Sequence, residues 1–307
     1  MIGESAKYFQ PEVLSRIARL ELRARHVVEG FVSGMHASPY RGFSVEFADH
    51  RLYVPGDDIR RIDWRVYAKA DRFFVKEYEA ETNLRAHLVL DCSASMAYPE
   101  HPGTNRMTKW DYAATVAASL AHLLVHQQDG VGLVLFDEEI RRQLPVSASR
   151  ASLAGLANAI ETSRPQRPTQ VKMLFPLLAA SLPRRGMVIV ISDLLTNVDE
   201  LVLGLQRLRH QRHDVLVLQI LDHDELEFPF ADRVLFEGME EIQLEVLTDP
   251  QSIRASYLAA VQNFIGTIRR ACLDNRIDYV LMSTADRIDV ALTAFLTTRM
   301  HLLRSKA

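Results

Sequence analysis

The chain has 307 residues, enough for one large domain or a domain with a substantial extension. Its 36 basic and 39 acidic residues leave a formal charge of −3, which argues against the broad basic face of a nucleic-acid-binding protein. Two cysteines, Cys92 and Cys272, are too few for a disulfide framework or a structural zinc site. The opening MIGESAKYFQPEV lacks the basic-then-apolar pattern of a secretory signal. The longest mostly apolar run, around Tyr112 to Val125, is interrupted by His122 and too short to span a bilayer. A cytoplasmic location and no transmembrane segment are therefore expected.

Two compositional zones follow one another. Residues 1–85 are charged and irregular, with an amphipathic helix expected over Glu12–Val28 and a strand over Phe73–Tyr78. Between them lies GDDIRRIDW, residues 56–64, which reads either as a salt-bridged surface turn or as a docking surface carried by Asp57, Asp58, Arg60 and Asp63. Trp64 in the same stretch reads as a packing anchor. No linker rich in Gly, Pro or Ser separates this zone from the rest, so it is expected to be an α+β extension packed on the main domain.

Residues 86–307 alternate short apolar runs with longer amphipathic segments. His87–Leu90, Val131–Phe136, Met187–Ile191, Val215–Leu221 and Tyr279–Met282 are rich in Val, Leu and Ile without polar alternation, as in strands buried on both faces of a parallel sheet. Lys109–Gln128 sets Trp110, Ala114, Ala117, Leu120 and Leu124 on one helical stripe. Leu153–Glu161, Leu174–Leu182, Leu201–Gln211 and Ile253–Leu273 have similar character. Strands alternating with helices predict an α/β fold with a doubly wound, mostly parallel sheet.

In such sheets ligands bind at the carboxyl ends of the strands, where the strand order reverses. The first apolar run ends in Asp91-Cys92-Ser93-Ala94-Ser95, and the third ends in Ser192-Asp193. Asp91, Ser93 and Ser95 offer oxygens at alternate positions of one loop. Thr169, in the turn after Arg167-Pro168, and Asp193 lie on loops that a parallel sheet sets alongside. All five are hard oxygen donors, suited to Mg²⁺, or to Mn²⁺ or Ca²⁺, and unsuited to thiophilic metals. The plainer reading is an Asp capping the next turn, with the serines bonded to nearby backbone. Cys92 reads as a small core residue. His122 and His126 lack the Glu of a zinc-protease helix and read as packed or solvated. Asp222-His223-Asp224-Glu225 reads as a solvated turn.

DCSAS after an apolar strand resembles the DxSxS motif of the metal-ion-dependent adhesion site in von Willebrand factor A domains. Thr169 stands 78 residues after Asp91 and 24 before Asp193, in keeping with that family's later ligands. The resemblance implies direct coordination by Ser93, Ser95 and Thr169, with Asp91 and Asp193 direct or through water. It also implies that a partner's Asp or Glu completes the shell. Arg41-Gly42, Glu46-Phe47, Gly56-Asp57-Asp58, Arg60, Ile62-Asp63-Trp64 and ISDLL at 191–195 are further similar to the domain-of-unknown-function family 58. Many members of that family are encoded beside MoxR-type AAA+ ATPases. This implies a partner or adaptor of such an ATPase in maturing or remodelling other proteins.

Enzyme motifs are sparse. GxSxG, GxxxxGK[ST] and GxGxxG do not occur, and Ser93 stands where an aspartyl-phosphate pair needs its second Asp. A non-enzymatic binding module is therefore expected. Two alternatives remain at this point: a metal-dependent phosphoester hydrolase, with Arg164, Arg167 or His101 as clamp or base, and a structural protein with a vestigial metal site.

Overall fold

The computed structural model describes residues 45–53, 62–64, 66–67, 72–80, 84–99, 106–165, 171–182, 185–239 and 245–292. The chain divides into two compact units, one from Glu29 to Asn83 and one carrying everything from Leu84 onward.

In the smaller unit, β1 (Val45–Leu52) pairs antiparallel with β2 (Phe74–Ala80), with an irregularity between Phe47 and Asp49. Tyr67 stacks on Phe73 with ring centroids 4.4 Å apart, and Trp64 meets both rings edge-on. Trp64 nevertheless remains 57% exposed, so it is a rim residue of this aromatic group and not a buried anchor. Asp63 is buried; its backbone N–H donates to the Phe74 carbonyl, and its carboxylate accepts the Val66 N–H.

The larger unit is α/β, built on a six-stranded sheet. In chain order its strands are β3 (Arg85–Asp91), β4 (Gly130–Phe136), β5 (Ile140–Ser147), β6 (Met187–Ser192), β7 (Asp214–Leu221) and, last, a strand at Asp278–Ser283. Alongside run α1 (Lys109–His126), α2 (Arg150–Thr162), α3 (Val171–Ser181), α4 (Val198–His210) and the short α5 (His223–Glu227). A hairpin of β8 (Val234–Glu237) and β9 (Glu245–Thr248) precedes α6 (Pro250–Asp274) and the last strand, β10 (Asp278–Ser283). The sheet order is β10-β7-β6-β3-β4-β5, all parallel except β5. The chain enters at the centre on β3, runs outward to β5, then returns to β6 and runs outward on the other side. The order therefore reverses between β3 and β6.

Burial explains the strand composition. β4, β6 and β7 are buried along their whole length, and β3 is buried from Ala86 onward. One face packs Val89, Val134, Val188, Val190, Val215 and Val217 against Phe175, Leu178, Leu201, Leu205, Leu208 and Ile268 of α3, α4 and α6. There α3 and α4 approach closely: a Cβ on Gly204 would stand 2.4 Å from the Phe175 ring, so only glycine fits. The other face is crossed by α1, whose alanines at 113, 114, 117, 118 and 121 are all fully buried. The edge strand β5, IRRQLPVS, is only partly buried, and its arginines blunt an exposed edge.

The parallel strands and helices expected over residues 86–307 are present. The antiparallel edge strand β5 and the β8–β9 hairpin were not foreseen, because their short apolar stretches are broken by Arg, Gln and Glu. The helix expected over Glu12–Val28 falls outside the described residues.

Candidate metal and partner site

The carboxyl ends of β3 and β6, side by side at the reversal point, carry the site. Asp91 is the last residue of β3 and has no exposed surface. Its Oδ1 accepts the Ser93 N–H at 2.8 Å, and its Oδ2 accepts the Ser192 hydroxyl at 2.5 Å. Part of the plainer reading is thus correct, since Asp91 does cap the following turn. The serines behave differently. Ser93 and Ser95 turn their hydroxyls toward each other, with oxygens 3.1 Å apart, and both residues are buried. A single 3₁₀ turn, Ala94–Ala97, holds them in that register, with Met96 N–H donating to the Ser93 carbonyl. Cys92 points away: its thiol donates to the Phe136 carbonyl, and burial pushes it up to about 12.

Asp193 follows β6 directly and is also buried. Its Oδ1 accepts the Leu195 N–H at 3.1 Å, and its backbone carbonyl accepts from Gln219 Nε2. The intervening Leu194 sits at φ 59°, a left-handed conformation that costs a leucine energy, and its N–H donates to Ser192 Oγ. Ser192 therefore ties the two loops together, donating to one and accepting from the other.

The electrostatics are unbalanced on the Asp91 side. Burial, and then the charge of Asp193, hold the Asp91 carboxyl well above its ordinary range, despite the hydrogen bonds from Ser192 and Ser93. An added cation there would remove that penalty. On the far side of Asp193 lies a group the sequence reading overlooked. Lys109, the first residue of α1, is buried, and its Nζ stands 2.8 Å from Asp193 Oδ2 and 2.6 Å from Glu225 Oε1. Burial alone would lower the Lys109 pKa, but Asp193 and Glu225 outweigh it and raise it. One signal in the sequence was available: a lysine at a helix N-terminus opposes the helix dipole and calls for compensating anions.

The run Asp222–Glu225 is not the solvated turn expected. Asp222 is fully buried and accepts from Arg106 and Thr284, each at 2.5 Å. Asp222 and Glu225 form a capping box at the start of α5, and Glu225 also takes Lys109. Asp222 alone of the run is buried, with Asp224 and Glu225 half-buried and His223 exposed, because the capping carboxylate faces Arg106 and Thr284.

Four candidates, Asp91, Ser93, Ser95 and Asp193, are thus gathered on two neighbouring loops. Thr169, Asp57, Asp58 and Arg60 lie outside the described residues, as do Arg167 and His101. Asp63 is turned inward within the smaller unit. Arg164, a conceivable phosphate clamp, instead folds onto the carbonyls of Glu161 and Ser163. The rings of His122 and His126 lie 6.1 Å apart on α1. Among the described residues, no three His, Cys, Asp or Glu side chains are grouped to hold a metal, so any cation here would rely on hydroxyls. The donor set suits Mg²⁺, because two convergent hydroxyls and two carboxylates are hard oxygens in a pocket short of positive charge.

The chain is 30% identical over 247 residues to an uncharacterized protein of Mycobacterium tuberculosis, Rv1480, covering 78% of this chain and 75% of that protein. Among solved structures it is similar to an aerotolerance-related membrane protein from Bacteroides fragilis, with 15% identity, 71% of this chain and 98% of that one covered, and a TM-score of 0.44. It is also similar to the von Willebrand factor domain of the pili tip protein Mfa5 from Porphyromonas gingivalis, with 13% identity, 71% and 95% covered, and a TM-score of 0.35. The Bacteroides fragilis neighbour is by description a membrane protein, which corrects the cytoplasmic placement expected above. That expectation rests on the lack of a long apolar run, and such a lack within a domain does not fix where the domain resides. Among the described residues, no helix is long and apolar enough to cross a membrane. Residues 49–264 match the family described as protein of unknown function DUF58, and the chain belongs to that family.

Proposed function

We propose that this chain is a divalent-metal-dependent protein-binding module that grips an Asp or Glu of a partner protein. The observation that carries the reading is the facing pair of hydroxyls, Ser93 and Ser95, beside the buried carboxylates of Asp91 and Asp193 at the reversal point of the sheet. Ser93 and Ser95 would hold Mg²⁺, or Mn²⁺ or Ca²⁺, with Thr169 as a further hydroxyl from outside the described residues. Both oxygens of Asp91 already accept hydrogen bonds, which suits it to act through water. The bound cation would supply an electrostatic anchor for a carboxylate, and neutral hydroxyl ligands would leave much of its charge for that purpose. The sequence resemblance to a family often encoded beside MoxR-type AAA+ ATPases supports such an ATPase, or a client protein of one, as the partner, in a role in protein maturation or remodelling without chemistry at the site itself.

The test is capture of the cognate ATPase by the purified protein in Mg²⁺ and in chelator. Capture should be lost in chelator and in the Asp91→Ala and Ser93→Ala/Ser95→Ala variants, while circular dichroism stays unchanged. Equal capture in Mg²⁺ and chelator would overturn the reading.

A second reading, a structural protein with a vestigial site, is favoured by Lys109, whose ammonium already contacts Asp193. Calorimetric titration separates the two, since a vestigial site takes up no heat from millimolar Mg²⁺ or Mn²⁺.

A further inference from the structure

Lys109 has no part in the metal-dependent binding reading itself, although it contacts one of the candidate ligands. Its side chain is 1% exposed, and its ammonium is shared between Asp193 and Glu225. Its place is pinned by the backbone, since the Lys109 N–H donates to the Tyr98 carbonyl at 2.7 Å and Thr108 caps the same helix end. A lysine here works against the α1 dipole and carries a desolvation cost, so the two carboxylates must hold it. Glu225 is itself fixed, because its other oxygen accepts the Asp222 N–H at 2.7 Å in the capping box of α5. The ammonium thus has one permanent partner, Glu225, and one partner that a divalent cation would also seek, Asp193.

We propose that Lys109 is a resident cation that competes with divalent metal for Asp193 and so sets the metal affinity of the site. The proposal rests on the assignment of Asp193 to the metal site. Two like charges served by one buried carboxylate repel each other, and in a poorly hydrated pocket that repulsion is weakly screened. The lysine would keep the loops in place before metal arrives, and would weaken metal binding enough for a partner's carboxylate to govern occupancy.

The experiment is isothermal titration of the full chain with Mg²⁺ and with Mn²⁺, in wild type, Lys109→Met and Lys109→Met/Glu225→Gln. Lys109→Met strips the ammonium from both Asp193 and Glu225. The double variant also removes the Glu225 charge, so that one carboxylate and not two is left without it, and circular dichroism checks that each variant folds. Lys109→Met should bind metal about tenfold more tightly or better, because one positive charge has left the site. The double variant, whose net charge change is zero, should show a smaller gain, because the ammonium in contact with Asp193 is still gone. Their melting temperatures should also rise more steeply with Mg²⁺ than that of wild type, a response that a merely structural lysine would not produce. Equal or weaker metal binding in both variants would overturn the proposal while leaving the metal-site reading intact. Binding by the variants with none by wild type would support it and favour the vestigial reading of the native chain. Absence of binding in all three would sink both.

Discussion

At the scale of single residues, Ser192 and His87 carry the sharpest consequences. Ser192 donates to Asp91 and accepts from Leu194, so a single hydroxyl joins the two loops and steadies a leucine in left-handed backbone. Ser192→Ala leaves a buried carboxylate oxygen and a buried N–H without that partner, which should cost about 1–3 kcal/mol, read as a lower urea midpoint at unchanged slope. His87 lies in the buried stretch of β3, and its Nε2 has no hydrogen-bond partner among the described residues. Burial, then the nearby His213 and Arg85, lower its pKa from 6.5 to about 4. The folded state therefore holds His87 neutral where the unfolded chain binds a proton. Stability is full above pH 6.5 and is lost as pH falls toward 4, by up to roughly 3 kcal/mol. Denaturation curves between those limits should show this loss, and His87→Leu should flatten it; an unchanged slope in the variant would refute the assignment.

At the scale of elements, the contact of α3 with α4 is the most demanding piece of packing. The position of Gly204 against the Phe175 ring brings two helices together on the same face of the sheet. Gly204→Ala improves helix propensity by about 1 kcal/mol yet forces a methyl into that ring, and overpacking should prevail by about 1–3 kcal/mol. A lower melting temperature for Gly204→Ala, restored in Gly204→Ala/Phe175→Leu, is the expected result. The elements also show where sequence reading works. Strands β4, β6 and β7, buried on both faces, were legible as uninterrupted Val, Leu and Ile runs. β5 was not, because an edge strand half open to solvent carries Arg141, Arg142 and Gln143. The same limit applies to α5, whose five residues are too few to show a helical period.

At the scale of the whole molecule, the metal reading predicts linkage. A cation bound only by the folded state adds about 2.7 kcal/mol at a hundredfold excess over its dissociation constant. For a chain of this size that is a rise in melting temperature of several degrees, which Asp91→Ala should abolish. A melting temperature equally insensitive to Mg²⁺ in wild type and variant would count against the site.

The sequence by itself determined the α/β class, the strand that ends in Asp91 and the loop pattern DCSAS, because buried parallel strands and a tight polar turn are local patterns. The family relationship was legible too, in residues spread from Arg41 to Leu195. Only the tertiary structure decided that the hydroxyls of Ser93 and Ser95 face each other, that Ser192 bridges the two loops, and that Asp222 is buried. It alone revealed Lys109 between Asp193 and Glu225, residues 84 and 116 positions away along the chain. The physical reason is separation: charge balance in a buried site is a sum over groups from distant segments. Periodicity reports the face on which a residue lies, and carries no information about which charge waits there.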